Sequence, residues 1–245
     1  APAVDFLTIH LLPYWEDDPR GIDDALAHVG DIRREFGERF APKDILIGET
    51  GWPSEGRQRE TAVPSRANEA RFIRGFVAMA EQNGWHYNLI EAFDQPWKRA
   101  SEGAVGGYWG LYDADRQDKG VLEGPVSNLP LWPQWLVASG ILFVLTLILA
   151  GPVRCNRAAL LLPLLAALGA ASIGLWGELA RTNSRFLGEW LWVVVLAGLN
   201  LLVLAHGTLA LASRKGWRER TFAWLEARAG WWVVAAGFAA AVSML

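Results

Sequence analysis

Beyond Pro130 the sequence is written largely in Leu, Ala, Val and Trp, in four long apolar runs at roughly 132–151, 158–177, 190–212 and 229–245. The first run carries no charge. A helix needs about 20 apolar residues to cross a bilayer core; the first three runs reach that length, and the fourth stops with the chain at Leu245. Trp132, Trp135, Trp176, Trp190, Trp192, Trp231 and Trp232 cluster near the run ends, where membrane interfaces place indoles. So many apolar runs in so short a stretch do not suit the core of a water-soluble domain. Residues 129–245 are therefore expected to form a transmembrane domain of about four helices, with the lipid bilayer as partner.

The loops between the runs set an expected orientation. Arg154 and Arg157 lie in the first loop, Arg181 and Arg185 in the second beside Glu178 and Glu189, and Arg214, Lys215, Arg218, Arg220 and Arg228 in the third. Lys/Arg-rich loops stay cytoplasmic, so loops one and three go inside and residues 1–128 go outside. Asn200 and His206 are polar positions within the third run, and Gly169–Gly174 is a small-residue stretch suited to close helix packing.

Residues 1–128 differ in kind, with 14 Lys/Arg against 22 Asp/Glu. An acidic, water-soluble half argues against nucleic acid as a partner, because phosphate binding needs clustered cations. The single cysteine, Cys155, excludes an internal disulfide. His10, His28, His86 and His206 are scattered without ligand spacing, so no metal site is expected. The start at Ala1 without Met and the stop within an apolar run are expected of a piece of a longer protein.

Within this half, strand and helix patterns alternate. Val4–His10, Asp44–Glu49 and Tyr87–Phe93 read as buried strands. Pro19, preceded by Asp17 and Asp18, marks a helix start, followed by Ile22, Leu26, Val29, Phe36 and Phe40 at helical spacing. Ser65 caps a second helix with Phe72, Ile73, Phe76, Val77 and Ala80 on its apolar face, and Gly84 follows its end. Continuous apolar strands alternating with amphipathic helices mean parallel βαβ units. Three units do not close a barrel, and pattern alone leaves a doubly wound sheet open. No glycine-rich phosphate loop supports a nucleotide fold.

The most informative strand is the second. Asp44–Glu49 ends in a carboxylate and breaks at once into Thr50-Gly-Trp-Pro-Ser-Glu-Gly56. A carboxylate closing a buried apolar strand needs partners or a task, and the C-terminal edge of parallel strands is where catalytic groups sit. The other strands also exit into polar and aromatic residues, through His10-Leu-Leu-Pro-Tyr-Trp-Glu16 and Glu91-Ala-Phe-Asp-Gln-Pro-Trp-Lys98. Rings beside carboxylates on one rim suit a sugar site. Other readings stay open for several of these residues: His10 as a core histidine, Tyr14 and Trp15 as loop packing, Lys98 as a surface cation, Glu55 as a solvated loop charge.

Ile47-Gly-Glu-Thr-Gly-Trp-Pro53 closely resembles the active-site signature of glycoside hydrolase family 17, the β-1,3-glucanase and transglucosidase family, and Ile90–Lys98 resembles that family's last barrel strand. Pro13-Tyr14-Trp15 and Gly107–Tyr112 are similar to its sixth-strand exit and its closing aromatic turn. The resemblance covers roughly residues 4–125. It implies an α/β fold, the C-terminal part of a (β/α)8 TIM barrel holding strands six to eight, followed here by the helical domain. It implies Glu49 as the catalytic nucleophile of a retaining mechanism, with an acid/base Glu on a strand upstream of Ala1. His10, Tyr14, Trp15, Trp52, Glu91, Asp94, Gln95, Trp97 and Lys98 are the residues it places on the substrate; Gln95 stands where fungal relatives often carry Glu. The implied partner is a β-glucan oligosaccharide or polysaccharide, with no cofactor. A glucanase barrel joined to membrane helices resembles bacterial membrane-bound β-(1→6)-glucan synthases and transglucosylases, which implies an inner-membrane protein with a periplasmic barrel and leaves a glucan-export or synthase partner unnamed. Transfer and hydrolysis share one intermediate, so both remain open, as does a non-catalytic glucan-binding module.

Overall fold

The computed structural model describes residues 3–150 and 158–212. The chain divides into two units, Ala1–Asn128 and Leu129–Leu245.

The first unit is built on three parallel strands in the order β1 (Phe6–Leu11), β2 (Asp44–Thr50), β3 (His86–Leu89). Parallel neighbours require crossovers, supplied by α1 (Ile22–Arg39) and α2 (Arg66–Asn83). Ile45 and Ile47 of the central strand are buried with Ala25 and Val29 of α1 and Phe72, Ile73, Phe76 and Ala80 of α2. The two helices approach closely because each offers a glycine: a Cβ on Gly75 would lie 2.4 Å from Leu26 Cδ1, and one on Gly30 would lie 3.2 Å from Met79 Sδ.

The ends of α2 follow their local chemistry. Ser65 Oγ accepts the Asn68 amide at 3.1 Å, an N-cap bond. Gly84 takes the left-handed conformation at φ 61°, and the Trp85 amide reaches back to Ala80 O at 2.9 Å, closing the helix as a Schellman-type turn. The first helix begins later than Pro19: it starts at Ile22 after Gly21, with Asp23 and Asp24 in its first turn. The segment before it is held as a loop, in which Asp18 pairs with Arg20 at 2.7 Å and the Arg20 amide donates to Pro13 O at 3.0 Å. The third strand ends at Leu89 instead of Phe93. Past Ile90, whose amide still donates to Thr50 O, the chain changes partner. Glu91 and Asp94 donate to Trp109 O and Tyr112 O, and Leu111 and Tyr112 return the bonds to Glu91 O and Ala92 O.

In the second unit, the apolar runs form α4 (Trp132–Ala150), α5 (Ala158–Asn183) and α6 (Leu187–Ala212). A short helix, α3 (Arg99–Glu102), precedes them in the first unit. Trp135 of α4 lies on Gly174 of α5, where a Cβ would come within 2.3 Å of the indole, and its N–H donates to Glu178 one turn further on. Among the described residues one helical segment, Pro163–Asn183, is long and apolar enough to cross a membrane, while Trp132–Ile148 and Leu187–Val203 are shorter apolar helices. The run expected at 229–245 lies outside the described residues.

Candidate active site

Glu49 is placed by a break in β2. Simple alternation would turn it to the buried face shared by Ile45 and Ile47. The register slips instead: Ile9 faces Ile47, but His10 faces Glu49, so Gly48 is skipped. Thr50 becomes the buried residue, and the Glu49 side chain keeps 43% exposure. The bulge requires glycine because the β1 side chains lie across it: a Cβ on Gly48 would sit 2.4 Å from Thr8 Cγ2 and 3.0 Å from His10 Nε2. His10 Nδ1 stands 3.1 Å from Glu49 Oε2, so the two sequence-predicted residues form one pair.

The segment after Glu49 turns inward. A Cβ on Gly51 would lie 2.4 Å from Ile90 O, so the two strand exits run against each other. Trp52, expected at the sugar, is fully buried: its ring tilts against Phe72 at 5.8 Å and its N–H donates to Val63 O at 3.1 Å. Its substrate role is corrected on that ground, since an indole with no exposed surface stacks on no ligand. Ser54 then anchors the loop, its amide and hydroxyl both donating to Tyr108 O, at 2.8 and 3.1 Å.

At the β1 exit, Tyr14 also belongs to the core. It is 2% exposed, donates to Arg57 O at 2.7 Å, and has its hydroxyl pushed up to about 12 by burial, with Arg59 opposing. It supports Trp15 edge-on at 5.0 Å. Trp15 is partly exposed, lies parallel to buried Trp109 at 6.3 Å and carries Arg59 over its ring at 5.5 Å.

The β3 exit forms a second polar group. Glu91 Oε2 accepts Lys98 Nζ at 2.7 Å and Gln95 Nε2 at 2.5 Å. Its Oε1 is buried with no partner among the described residues. Trp97 beside it is the most open ring of the exit at 70% exposure, with Lys98 over its face at 5.8 Å. Asp94, predicted to meet the substrate, instead turns into the protein. Its Oδ1 accepts the Gly110 amide at 2.8 Å and Lys119 Nζ at 3.1 Å, and its side chain is 7% exposed.

Sequence reasoning missed Lys119 and Glu69, both buried to within 1% of full cover and 3.1 Å apart. Burial raises Glu69 to about 8 and Asp94 to about 6, with Lys119 opposing in both cases. Glu55 is corrected as well. It is a covered ion-pair partner, its Oε1 taking Nε and Nη2 of Arg66 at 3.2 and 3.1 Å. Among the described residues no group of His, Cys, Asp and Glu could hold a metal ion.

The arrangement therefore offers one partly exposed carboxylate with a histidine beside it, a covered carboxylate–lysine–amide group, and exposed rings at Trp15 and Trp97. Residues 1–110 match the family model described as the BtgE/BtgC glycoside hydrolase domain. The chain is 29% identical over 111 residues to a probable family 17 glucosidase, SCW10, of Saccharomyces cerevisiae, covering 45% of this chain and 28% of that protein. It is 34% identical over 111 residues to the probable β-glucosidase btgE of Aspergillus flavus, covering 45% of this chain and 18% of that protein. A solved family 17 β-1,3-glucanosyltransferase from Rhizomucor miehei is similar at 29% identity and a TM-score of 0.44, covering 48% of this chain and 42% of that one. The chain thus spans less than half the length of these relatives. Over residues 1–110 the chain is thus similar to glycoside hydrolases of the β-1,3-glucanase kind, family 17.

Proposed function

We propose that this chain is part of a membrane-anchored, retaining β-glucan transglucosidase acting on β-1,3-glucan, with residues 1–128 forming the C-terminal part of a TIM barrel. The observation that carries the reading is Glu49, which the Gly48 bulge turns off the buried face at a strand's C-terminal end and sets beside His10. In a retaining enzyme such a carboxylate attacks the anomeric carbon as the leaving oxygen takes a proton from a second carboxyl about 5–5.5 Å away. The glucosyl ester is then released to a sugar hydroxyl in transfer or to water in hydrolysis. The acid/base is assigned to sequence outside these 245 residues. Glu91, Gln95 and Lys98 hold sugar hydroxyls, Trp97 supplies an open stacking face, and Trp15 a second.

The printed roles of the relatives, a glucosidase and a glucanosyltransferase, support both outcomes of one ester. Anchoring is supported by the span Pro163–Asn183 and by the outward Leu136, Ile141, Leu145, Leu168, Leu191 and Val194 of α4 to α6. With the orientation read from the loops, the barrel lies in the periplasm of a bacterial inner membrane.

The test uses the full-length protein and a 2-deoxy-2-fluoroglucoside inactivator, followed by peptide mapping. The label is expected on Glu49, and Glu49→Gln is expected to lose at least about a thousandfold in turnover of laminari-oligosaccharides. A label elsewhere, or an active Glu49→Gln enzyme, overturns the assignment. Product sizing separates the outcomes, because longer oligomers mean transfer and shorter ones hydrolysis.

A further inference from the structure

We propose that Lys119 is a positioning residue for the nucleophile, fixing the loop that carries Glu49 against the other strand exit. The inference rests on the Glu49 reading above.

The Lys119 side chain is 1% exposed, and four acceptors converge on its ammonium. They are Gly110 O at 2.5 Å, Ser54 Oγ at 2.8 Å, Glu69 Oε1 at 3.1 Å and Asp94 Oδ1 at 3.1 Å. Each belongs to a different piece of the unit. Ser54 closes the loop that Glu49 opens, Asp94 lies in the β3 exit, Gly110 lies in the segment that pairs with that exit, and Glu69 sits in the first turn of α2. A compact ammonium with three rotating donors can gather acceptors from several directions, whereas the planar guanidinium of arginine cannot.

Burying a lysine is costly unless it is paired, so the position calls for an explanation. Two carboxylates face one cation, with the Arg66–Glu55 pair alongside. Asp94 also receives the Gly110 amide, whereas Glu69 Oε2 has no partner among the described residues. Asp94 is thus the better placed counter-ion, and Glu69 is the acid that keeps its proton.

The mechanical consequence concerns the six residues from Glu49 to Ser54. At one end the Gly48 bulge and His10 hold them; in the middle Trp52 is sunk in the core; at the far end the holds are Tyr108 O and Lys119. Releasing Lys119 leaves Ser54 held by Tyr108 O alone and uncouples the loop from Asp94 without touching Glu49.

The experiment compares full-length wild type, Lys119→Met and Ser54→Ala. Three quantities are read: thermal unfolding, the rate and binding constants of fluoroglucoside inactivation, and the chemical shifts of the His10 imidazole by NMR. Lys119→Met is expected to slow ester formation by about a hundredfold, the cost of misplacing a reacting group by about 1 Å, with the inactivator's binding constant held within about twofold. Ser54→Ala is expected to melt near wild type and to show a smaller loss of the same kind. In both variants the His10 ring resonances are expected to move from their wild-type positions as Glu49 drifts from the imidazole. Wild-type ester formation and unchanged His10 ring resonances in both variants would overturn the proposal. If Lys119→Met does not fold, Ser54→Ala decides. If wild type takes no label at Glu49, the functional reading fails, and the His10 ring resonances still test the positioning claim.

Discussion

Replacing Gly48 by alanine isolates the device that presents Glu49. The added methyl carbon would stand 2.4 Å from Thr8 Cγ2, about 1 Å inside ordinary van der Waals contact, and 3.0 and 3.2 Å from His10 Nε2 and Cδ2. Overpacking of this kind costs about 1–3 kcal/mol. Thr8 is exposed and has room to turn, which puts the cost at the lower end. His10 has less freedom, because its other nitrogen already faces Glu49 at 3.1 Å. Gly48→Ala in the full-length protein is therefore expected to lower the melting temperature by roughly 3–4 °C for each kcal/mol lost. It should also displace the imidazole and slow ester formation at Glu49. The double variant Thr8→Ala/Gly48→Ala removes the nearest clash and should recover most of the stability. It should recover less of the rate, because both contacts to the imidazole persist. The assay is calorimetry paired with single-turnover inactivation. A Gly48→Ala enzyme with wild-type stability and rate, or a double variant no better than the single, would refute the argument that a missing side chain creates the bulge.

Two further outcomes follow from burial. Trp52→Ala is expected to cost about 3–5 kcal/mol of stability, read from chemical denaturation; a variant that kept its midpoint and lost only glucan affinity would return Trp52 to the substrate surface. The folded state holds protons on Glu69 and Asp94 more tightly than the unfolded chain does. Their contribution is complete below the ordinary carboxylate range and is lost as pH rises, through about 6 for Asp94 and about 8 for Glu69. The melting temperature should therefore fall between pH values of about 4 and 8, with Glu69 alone responsible above about 6, and Glu69→Gln should flatten that upper slope; equal slopes in the two proteins would contradict it.

What the sequence made legible was local. Asp44–Glu49 announced a strand because its apolar run ends in an acid and then in chain-breaking residues, and α2 announced both ends through Ser65 and Gly84. The early end of β3 was hidden because it depends on residues 109–112 taking over as partner, a pairing that no window around Tyr87–Phe93 contains. Trp52 read as a sugar platform from its neighbourhood to Glu49, yet Gly51 lets the backbone dive and carries the indole under α2. Lys119 was invisible for the opposite reason. Its own neighbours, Asp113, Asp115, Arg116 and Asp118, look like a solvated turn, and its burial is imposed by Ser54, Glu69 and Asp94, 25 to 65 positions away. In the second unit the apolar runs marked the helices, but α5 continues to Asn183 because backbone hydrogen bonding outlasts the greasy stretch.

Among the described strands, β1 is paired along one side only, with Phe6, Thr8 and His10 turned outward. Half of the His10–Glu49 couple is therefore mounted on a border of the sheet. Any segment that docks along that border gains a second handle on the imidazole, and so on the acid behind it. Substitutions in such a segment, however remote in the chain, should register first in how fast Glu49 takes the inactivator and only afterwards in how the protein folds.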